Sequence, residues 1–475
     1  MTRPVLSLRL DDADLRVERD SVRRVNTQIR RALEARFDLA PEPDLVVAGA
    51  LQVPEPDAPP HLFVPHGAVA DPGHWLRHFS RLRSCDAVIA TSDSCVAIHH
   101  ALTEDDRYGV IRIPLGVDTE RFRPDEAARA RTRTALGVGD APLLLWTAGC
   151  APEKNLANAL QLLEGIARAL PGVRMAILAD DDARRPPMLD VARASGVAER
   201  LIWHSPVDPE ALNDLYAAAD ALVHLTLMWK ENFGLTLAEA QAAGLPVFAS
   251  AWGGLPSTVC APERVVLADT WVVREGRRVQ WQALVPPCVA RLSQPHTPRI
   301  VPEEIRARLG LGRFAHDLER AVEAALARSK TASREPITLS AAGRETVLRF
   351  ASEAARHPGR DTAELCRGAN ARTLEHPQAL IHAHMASRAE PPTGSHASLQ
   401  EPLGFEGEAI RGLTPAWTPD LDALSEPSRR ALRWLREPRG RDEVEAQLSR
   451  ETRSALQEAG LMGWGPAPST SNQNV

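Results

Sequence analysis

Six cysteines in 475 residues, with no C-x-x-C among them, give no basis for a disulfide framework or a zinc site. Cys85, Cys95, Cys150, Cys260, Cys288 and Cys366 are scattered, as free thiols in a reducing compartment are. No apolar run approaches the ~18 residues of a membrane span, and "MTRPVLSLRLDDADLRVERD" lacks the apolar core of a signal peptide. A cytoplasmic protein is expected. Excess basic charge is missing too: the net charge is -6, which argues against a chain built to neutralise nucleic-acid phosphates. Aromatic residues make up only 4%. What remains is 44% hydrophobic and 25% charged, an ordinary globular composition, long enough for about three domains.

From Pro142 to Ser250 short apolar runs alternate with helical periodicity. "PLLLWTAG", "VRMAILA", "RLIWH", "DALVHL" and "LPVFAS" read as strands, separated by helix patterns such as "EKNLANALQLLEGIARAL". That order predicts repeated βαβ units on a parallel sheet. Residues 1–120 show a weaker version in "VLSLRL", "DLVVAGA", "HLFVPHG", "DAVIATS" and "GVIRIPLG", with a helix over 19–37 whose apolar stripe is Val22, Val25, Ile29 and Leu33. This first unit is expected to be thin, having few helices of its own to cover its sheet.

The stretch "KENFGLTLAEAQAAGLPV" sets Glu231 and Glu239 on either side of a Phe-Gly. Thr236 and Glu239 fit a capping box, which would make Glu239 a helix-end cap. The chemical reading differs. Ligands of open parallel sheets sit beyond the strands' carboxyl ends, where loops enter helices, and a helix N-terminus suits a diphosphate. Gly234 permits close backbone approach. A carboxylate on each side then suits ribose hydroxyls and a sugar, that is, a nucleotide-sugar.

"ENFGLTLAEAQAAGLPVFASAWGG" resembles the E-x7-E signature of retaining GT-B glycosyltransferases, family 4. "IRIPLGVDTERFRP", "APEKN", "LADDD", "DAVIATS" and "VPHGA" are similar to further parts of that family, so the matches run from about residue 62 to 260. The resemblance implies an α/β, GT-B-like fold: a reduced Rossmann-like N-terminal, acceptor-side domain over 1–120 and a Rossmann-like donor-binding domain over 121–330. It implies that Glu239 binds the nucleotide ribose, Glu231 the transferred sugar and Lys154 the diphosphate, aided by backbone around Phe233, Gly234 and Leu235. His66 would lie near the donor sugar, and Pro206 and Val207 would hold the base. His66, Glu231 and Lys154 are the candidate catalytic residues. The donor is expected to be a nucleotide-diphosphate sugar such as a UDP-sugar, with no metal or other cofactor; the run Asp180 to Asp182 reads as a turn. The acceptor is left open among natural products, peptides and other small molecules. The alternative is a non-catalytic nucleotide-sugar binder. Two departures bear on it: Ala148 and Gly149 stand where the family has arginine, and no glycine-rich loop follows the first strand.

Residues 331–419 read as a helical and Pro/Gly-rich connection, 420–464 as a small helical or winged-helix-like module, and 465–475 as a disordered tail. The module holds eight arginines and nine acids, so a peptide or carrier-protein partner is expected there and nucleic acid is not. The helix near 16–37 has seven arginines against three acids; a solvated face is expected in preference to membrane contact.

Overall fold

The computed structural model describes residues 4–10, 20–49, 57–65, 82–104, 109–179, 185–204, 211–228, 230–273, 276–346, 348, 383–388, 396–399, 403–406, 409–412, 421, 424–435, 439–459 and 461–465. Its first unit is a parallel sheet. Strands β1 (Val5–Arg9), β2 (Asp38–Leu39), β3 (Leu45–Gly49), β4 (His61–Val64), β5 (Ala87–Ala90) and β6 (Gly109–Arg112) run in the order β2-β1-β3-β4-β5-β6. Helix α1 (Asp20–Glu34) follows β1 and buries Val25, Ile29 and Leu33, residues four apart and so on one face. Each such side chain contributes ~1.5–3 kcal/mol by leaving water. Helix α2 (Asp93–Leu102) starts at Ser92, whose side chain accepts from the Cys95 N–H.

The second unit repeats the pattern. Helix α3 (Glu126–Leu136) leads into β7 (Leu143–Thr147), α4 (Leu156–Ala169), β8 (Arg174–Leu178), α5 (Arg185–Ala194) and β9 (Leu201–His204). Then come α6 (Leu212–Ala218), β10 (Ala221–His224), α7 (Leu235–Ala242), β11 (Val247–Ser250), α8 (Leu255–Thr258) and β12 (Val265–Ala268). The order is β12-β11-β10-β7-β8-β9, all parallel, so the strand order reverses between β7 and β10. That switch point is where doubly wound sheets bind ligands. A hairpin, β13 (Thr270–Val273) with β14 (Gly276–Val279), is added beyond it, followed by α9 (Val285–Leu292) and α10 (Glu303–Leu309).

The expectation of a thin first unit is corrected by α11 (Leu311–Ser329). This helix follows the second unit in sequence but packs on α1, β3, β4 and β6, burying Phe314, Leu318, Val322 and Leu326. The boundary expected at 330 therefore does not separate two packing units. Just beyond it residues 335–337 lie against the first unit, where the Ile337 N–H donates to the Leu82 carbonyl and the Ser84 N–H to that of Glu335.

The C-terminal module is also larger than 420–464. Strand β15 (His396–Leu399) lies in the presumed connection, as does a hairpin of β16 (Leu403–Glu406) and β17 (Ala409–Gly412). β15 pairs antiparallel with β18 (Arg439–Gly440) and with β19 (Met462–Gly465). Helices α12 (Glu426–Trp434), α13 (Arg441–Gln447) and α14 (Arg450–Glu458) close a core of Leu432, Leu435, Val444, Leu456, Leu461 and Trp464. The module is docked on the hairpin of the second unit: Gln280 Nε2 donates to the Trp464 carbonyl at 2.9 Å. Among the described residues no helix is long and apolar enough to cross a membrane.

Candidate functional site

Helix α7 does not begin as a capping box. Its N-cap is Gly234, at φ +88°, and no side chain caps it; Thr236 already lies inside the helix. That positive φ favours glycine, and a Cβ there would also displace the Leu255 side chain, whose Cδ2 would stand 2.3 Å away. Phe233 is buried just before it and its carbonyl accepts from the Thr258 hydroxyl. Among the described residues no side chain caps the first N–H groups of α7, Leu235 among them, an arrangement suited to an anion.

Lys154 and Glu231 meet at the switch point. Lys154 ends a short turn after β7, and its Nζ lies 3.2 Å from Glu231 Oε2 in the loop after β10. The two loops are stitched together by the Leu227 N–H, which donates to the Glu153 carbonyl at 2.8 Å. Burial pushes the Glu231 carboxyl up, but Lys154, His224 and Thr226 together more than offset it and hold it below the usual range. Burial pushes His224, at the end of β10, down to about 4, so its ring is neutral near pH 7. Among the described residues neither nitrogen of that ring has a hydrogen-bond partner.

Glu239 sits one turn further along α7, 3% exposed. Its Oε1 accepts from Arg24 Nη1 at 2.9 Å and its Oε2 from the Tyr216 hydroxyl at 3.0 Å. It is a bridge between the two units, not an end-cap. Burial raises its pKa, against the lowering effects of Arg24 and Tyr216. Arg24 comes from α1, whose arginines were expected to form a solvated face. A cavity of about 260 Å³ opens there, lined by Arg24, Gln28, Arg31, Arg121 and Glu239.

His66, Pro206, Val207 and the run 180–182 lie outside the described residues. Among the described residues no group of three or more His, Cys, Asp or Glu is arranged to hold a metal ion. The structure thus unites Lys154 with Glu231 and sets Glu239 beyond the Gly234 turn. Sequence reasoning missed Arg24, Tyr216 and His224. The only signal was compositional: Tyr216 is one of two tyrosines. The turn 251–254, whose two glycines close the stretch that carries the resemblance, ties in the Glu231 loop: Trp252 Nε1 donates to the Met228 carbonyl at 2.9 Å and the Gly254 N–H to that of Glu231 at 3.0 Å. Near Glu153 the buried Arg277 of β14 adds a cation, its guanidinium 5.9 Å from the Trp252 ring; burial pushes its pKa down to about 10.

Residues 129–273 match the family model described as glycosyl transferases group 1. The D-inositol 3-phosphate glycosyltransferase of Xylanimonas cellulosilytica is 34% identical over 219 residues, 42% of this chain and 51% of that protein. A GDP-mannose-dependent alpha-(1-6)-phosphatidylinositol monomannoside mannosyltransferase of Mycolicibacterium smegmatis is 33% identical over 156 residues, 31% of this chain and 40% of the relative. The chain thus spans about half the length, or less, of these curated relatives. Sucrose-phosphate synthase from Thermosynechococcus elongatus shares the fold, with a TM-score of 0.50 and 19% identity over 68% of this chain and 88% of that one. Residues 129–273 thus resemble a group 1 glycosyl transferase domain, within a fold of two parallel sheets that sucrose-phosphate synthase shares.

Proposed function

We propose that the chain moves a sugar from a nucleotide-diphosphate donor to an acceptor hydroxyl with retention at the anomeric carbon. The observation that carries this reading is the Lys154–Glu231 pair at the β7/β10 switch, beside an uncapped, glycine-headed helix. Lys154 and the N-terminus of α7 would offset the diphosphate charge, which grows as the bond from C1 to the phosphate oxygen breaks. Glu231 would accept hydrogen bonds from the sugar hydroxyls, and Glu239 from the ribose. His66 would lie near the sugar, with the backbone of Pro206 and Val207 at the base. The acceptor oxygen bonds to C1 on the face the phosphate leaves, and its proton passes to the departing phosphate oxygen. The chain's part is to position both substrates and stabilise charge; no metal is invoked.

One relative depends on GDP-mannose and another is named for inositol 3-phosphate. GDP-mannose as donor and a phosphorylated polyol as acceptor are therefore the first pair to test, followed by UDP- and ADP-sugars. Release of nucleoside diphosphate that depends on the acceptor supports the transfer reading. A second reading, a nucleotide-sugar binder without turnover, is favoured by Ala148 and Gly149 standing where the similar enzymes carry a cation. Tight donor binding with no release in the presence of cell extract would establish it.

A further inference from the structure

Residues 383–388 belong to neither sheet, and no role proposed above involves them. They are nevertheless bound to two consecutive turns of the second unit. The Met385 carbonyl accepts from the Gly253 N–H at 2.8 Å. The Thr270 N–H donates to Ser387 Oγ at 2.8 Å, and the Ser387 N–H donates to Thr270 Oγ1 at 3.0 Å. The Arg388 N–H donates to the Thr270 carbonyl at 3.0 Å, and its guanidinium pairs with Asp269 at 2.9 Å. Met385 is 2% exposed. A Cβ on Gly253 would lie 2.6 Å from the Met385 methyl, so the side chain is seated on the bare α-carbon of that glycine.

The turn held in this way is the one that holds Glu231. The Gly254 N–H donates to the Glu231 carbonyl, and Trp252 Nε1 donates to the Met228 carbonyl. A Cβ on Gly253, whose φ is +56°, would come within 2.3 Å of the Glu231 carbonyl oxygen. From behind, Thr270 Oγ1 donates to the Ala251 carbonyl at 2.8 Å. Both ends of the 228–231 loop therefore hang on residues 251–254, and residues 385–388 fix 251–254 from the far side. The Glu231 carboxylate meets Lys154 only if that loop keeps its place.

We infer that residues 385–388 are a positioning element for Glu231, so that the C-terminal extension completes the donor-sugar side of the site. Met385 and Ser387 act through the Gly253–Gly254 turn and touch no substrate. The inference rests on the reading of Glu231 as the sugar-side carboxylate. Small displacements at a reacting centre are costly, about 100-fold in rate for ~1 Å, and a loop held by few contacts opens locally before the fold does.

The test uses the full chain with Met385→Ala, Ser387→Val and, as the conservative variant, Ser387→Thr. Amide exchange is read in ligand-free protein, and turnover with whichever of GDP-mannose, UDP-glucose or ADP-glucose the parent chain cleaves. Met385→Ala and Ser387→Val should speed exchange over 231–235 and 253–255 by about fivefold or more. They should lower kcat roughly tenfold, keep the Kd for the nucleoside diphosphate within about twofold, and Ser387→Thr should restore both. Unchanged exchange around Glu231, even with a lowered melting temperature, overturns the inference. Faster exchange with unchanged kcat overturns it as well. Faster exchange in a chain that cleaves no nucleotide-sugar supports the link between this segment and the Glu231 loop while sinking the transferase reading.

Discussion

Arg24 and Glu239 are 215 residues apart in the chain and 2.9 Å apart in the fold. The guanidinium is on the first helix of one unit and the carboxylate on a helix of the other, with side-chain exposures of 29% and 4%. The contact joins the two units, as do the hydrogen bonds of Thr91 to the Asn232 carbonyl and of Asp93 to Ser257. It also means that a ribose reaching Glu239 has to share its carboxylate with Arg24 and Tyr216.

Glu239→Ala should weaken nucleotide binding by ~2 kcal/mol, about thirtyfold, because hydrogen bonds to charged groups contribute ~1.5–3 kcal/mol. It should also lower stability, since the Tyr216 hydroxyl and Arg24 lose their acceptor. Arg24→Ala, which removes the more exposed partner, should cost roughly 1 kcal/mol of stability and leave nucleotide affinity intact. Titration calorimetry with the nucleoside diphosphate, alongside melting curves, separates the two variants. Unchanged affinity in Glu239→Ala would leave that residue with a purely structural, interdomain role.

His224 makes acid stability a second measurable property. Its folded pKa is about 4 against an ordinary 6.5, because burial disfavours the charged ring. Between those values the unfolded chain binds a proton that the folded chain refuses, so stability rises with pH across that window. The contribution is fully in place above pH 6.5, and on the order of 3 kcal/mol is lost on acidification toward pH 4. Glu231, held below its usual range, adds a loss only as pH falls further, through its folded pKa. Urea midpoints measured from pH 7.5 to 4.5 should fall in the parent chain and flatten in His224→Leu. A parallel decline in both would assign the acid limb to other groups.

Glu231→Gln and His66→Ala should depress turnover more than nucleotide binding, because both are assigned to the sugar. Glu231→Gln also removes the negative partner of Lys154, so a modest loss of stability, about 1 kcal/mol, accompanies it. Full rate with the true acceptor in either variant would remove that residue from the site.

The C-terminal module has its own core, so damage to it should be local. Leu432→Ala deletes a fully buried side chain of that core, a change that costs ~2–5 kcal/mol. Calorimetry should resolve an early transition for the module ahead of the main one. A chain cut near Thr414 leaves β15 without β18 and β19, and should melt lower than the parent while still binding nucleotide. If it keeps the parent melting temperature but loses acceptor affinity, the module recognises the acceptor and is not scaffold.

What the sequence determined by itself is local. Alternating apolar runs and 3.6-residue periodicity name the βαβ units, because strand and helix burial impose those periods on any chain. The glycine at 234 marks the start of a helix, because the left-handed backbone it adopts there favours glycine. Tertiary structure decided the remainder. Thr236 and Glu239 have the spacing of a cap, but capping depends on where the helix begins, and in the fold it begins at Gly234, which leaves Thr236 inside it. Helix α11 (Leu311–Ser329) covers a sheet whose last strand ends at Arg112, and no local period encodes which distant face an amphipathic helix will bury. Arg24 looks like any solvated arginine until the two units meet. β15 belongs to the terminal module because its hydrogen-bonding partners, β18 and β19, lie 40 or more residues onward, and strand pairing at that range is settled by the fold, where backbone groups must find partners wherever the chain brings them.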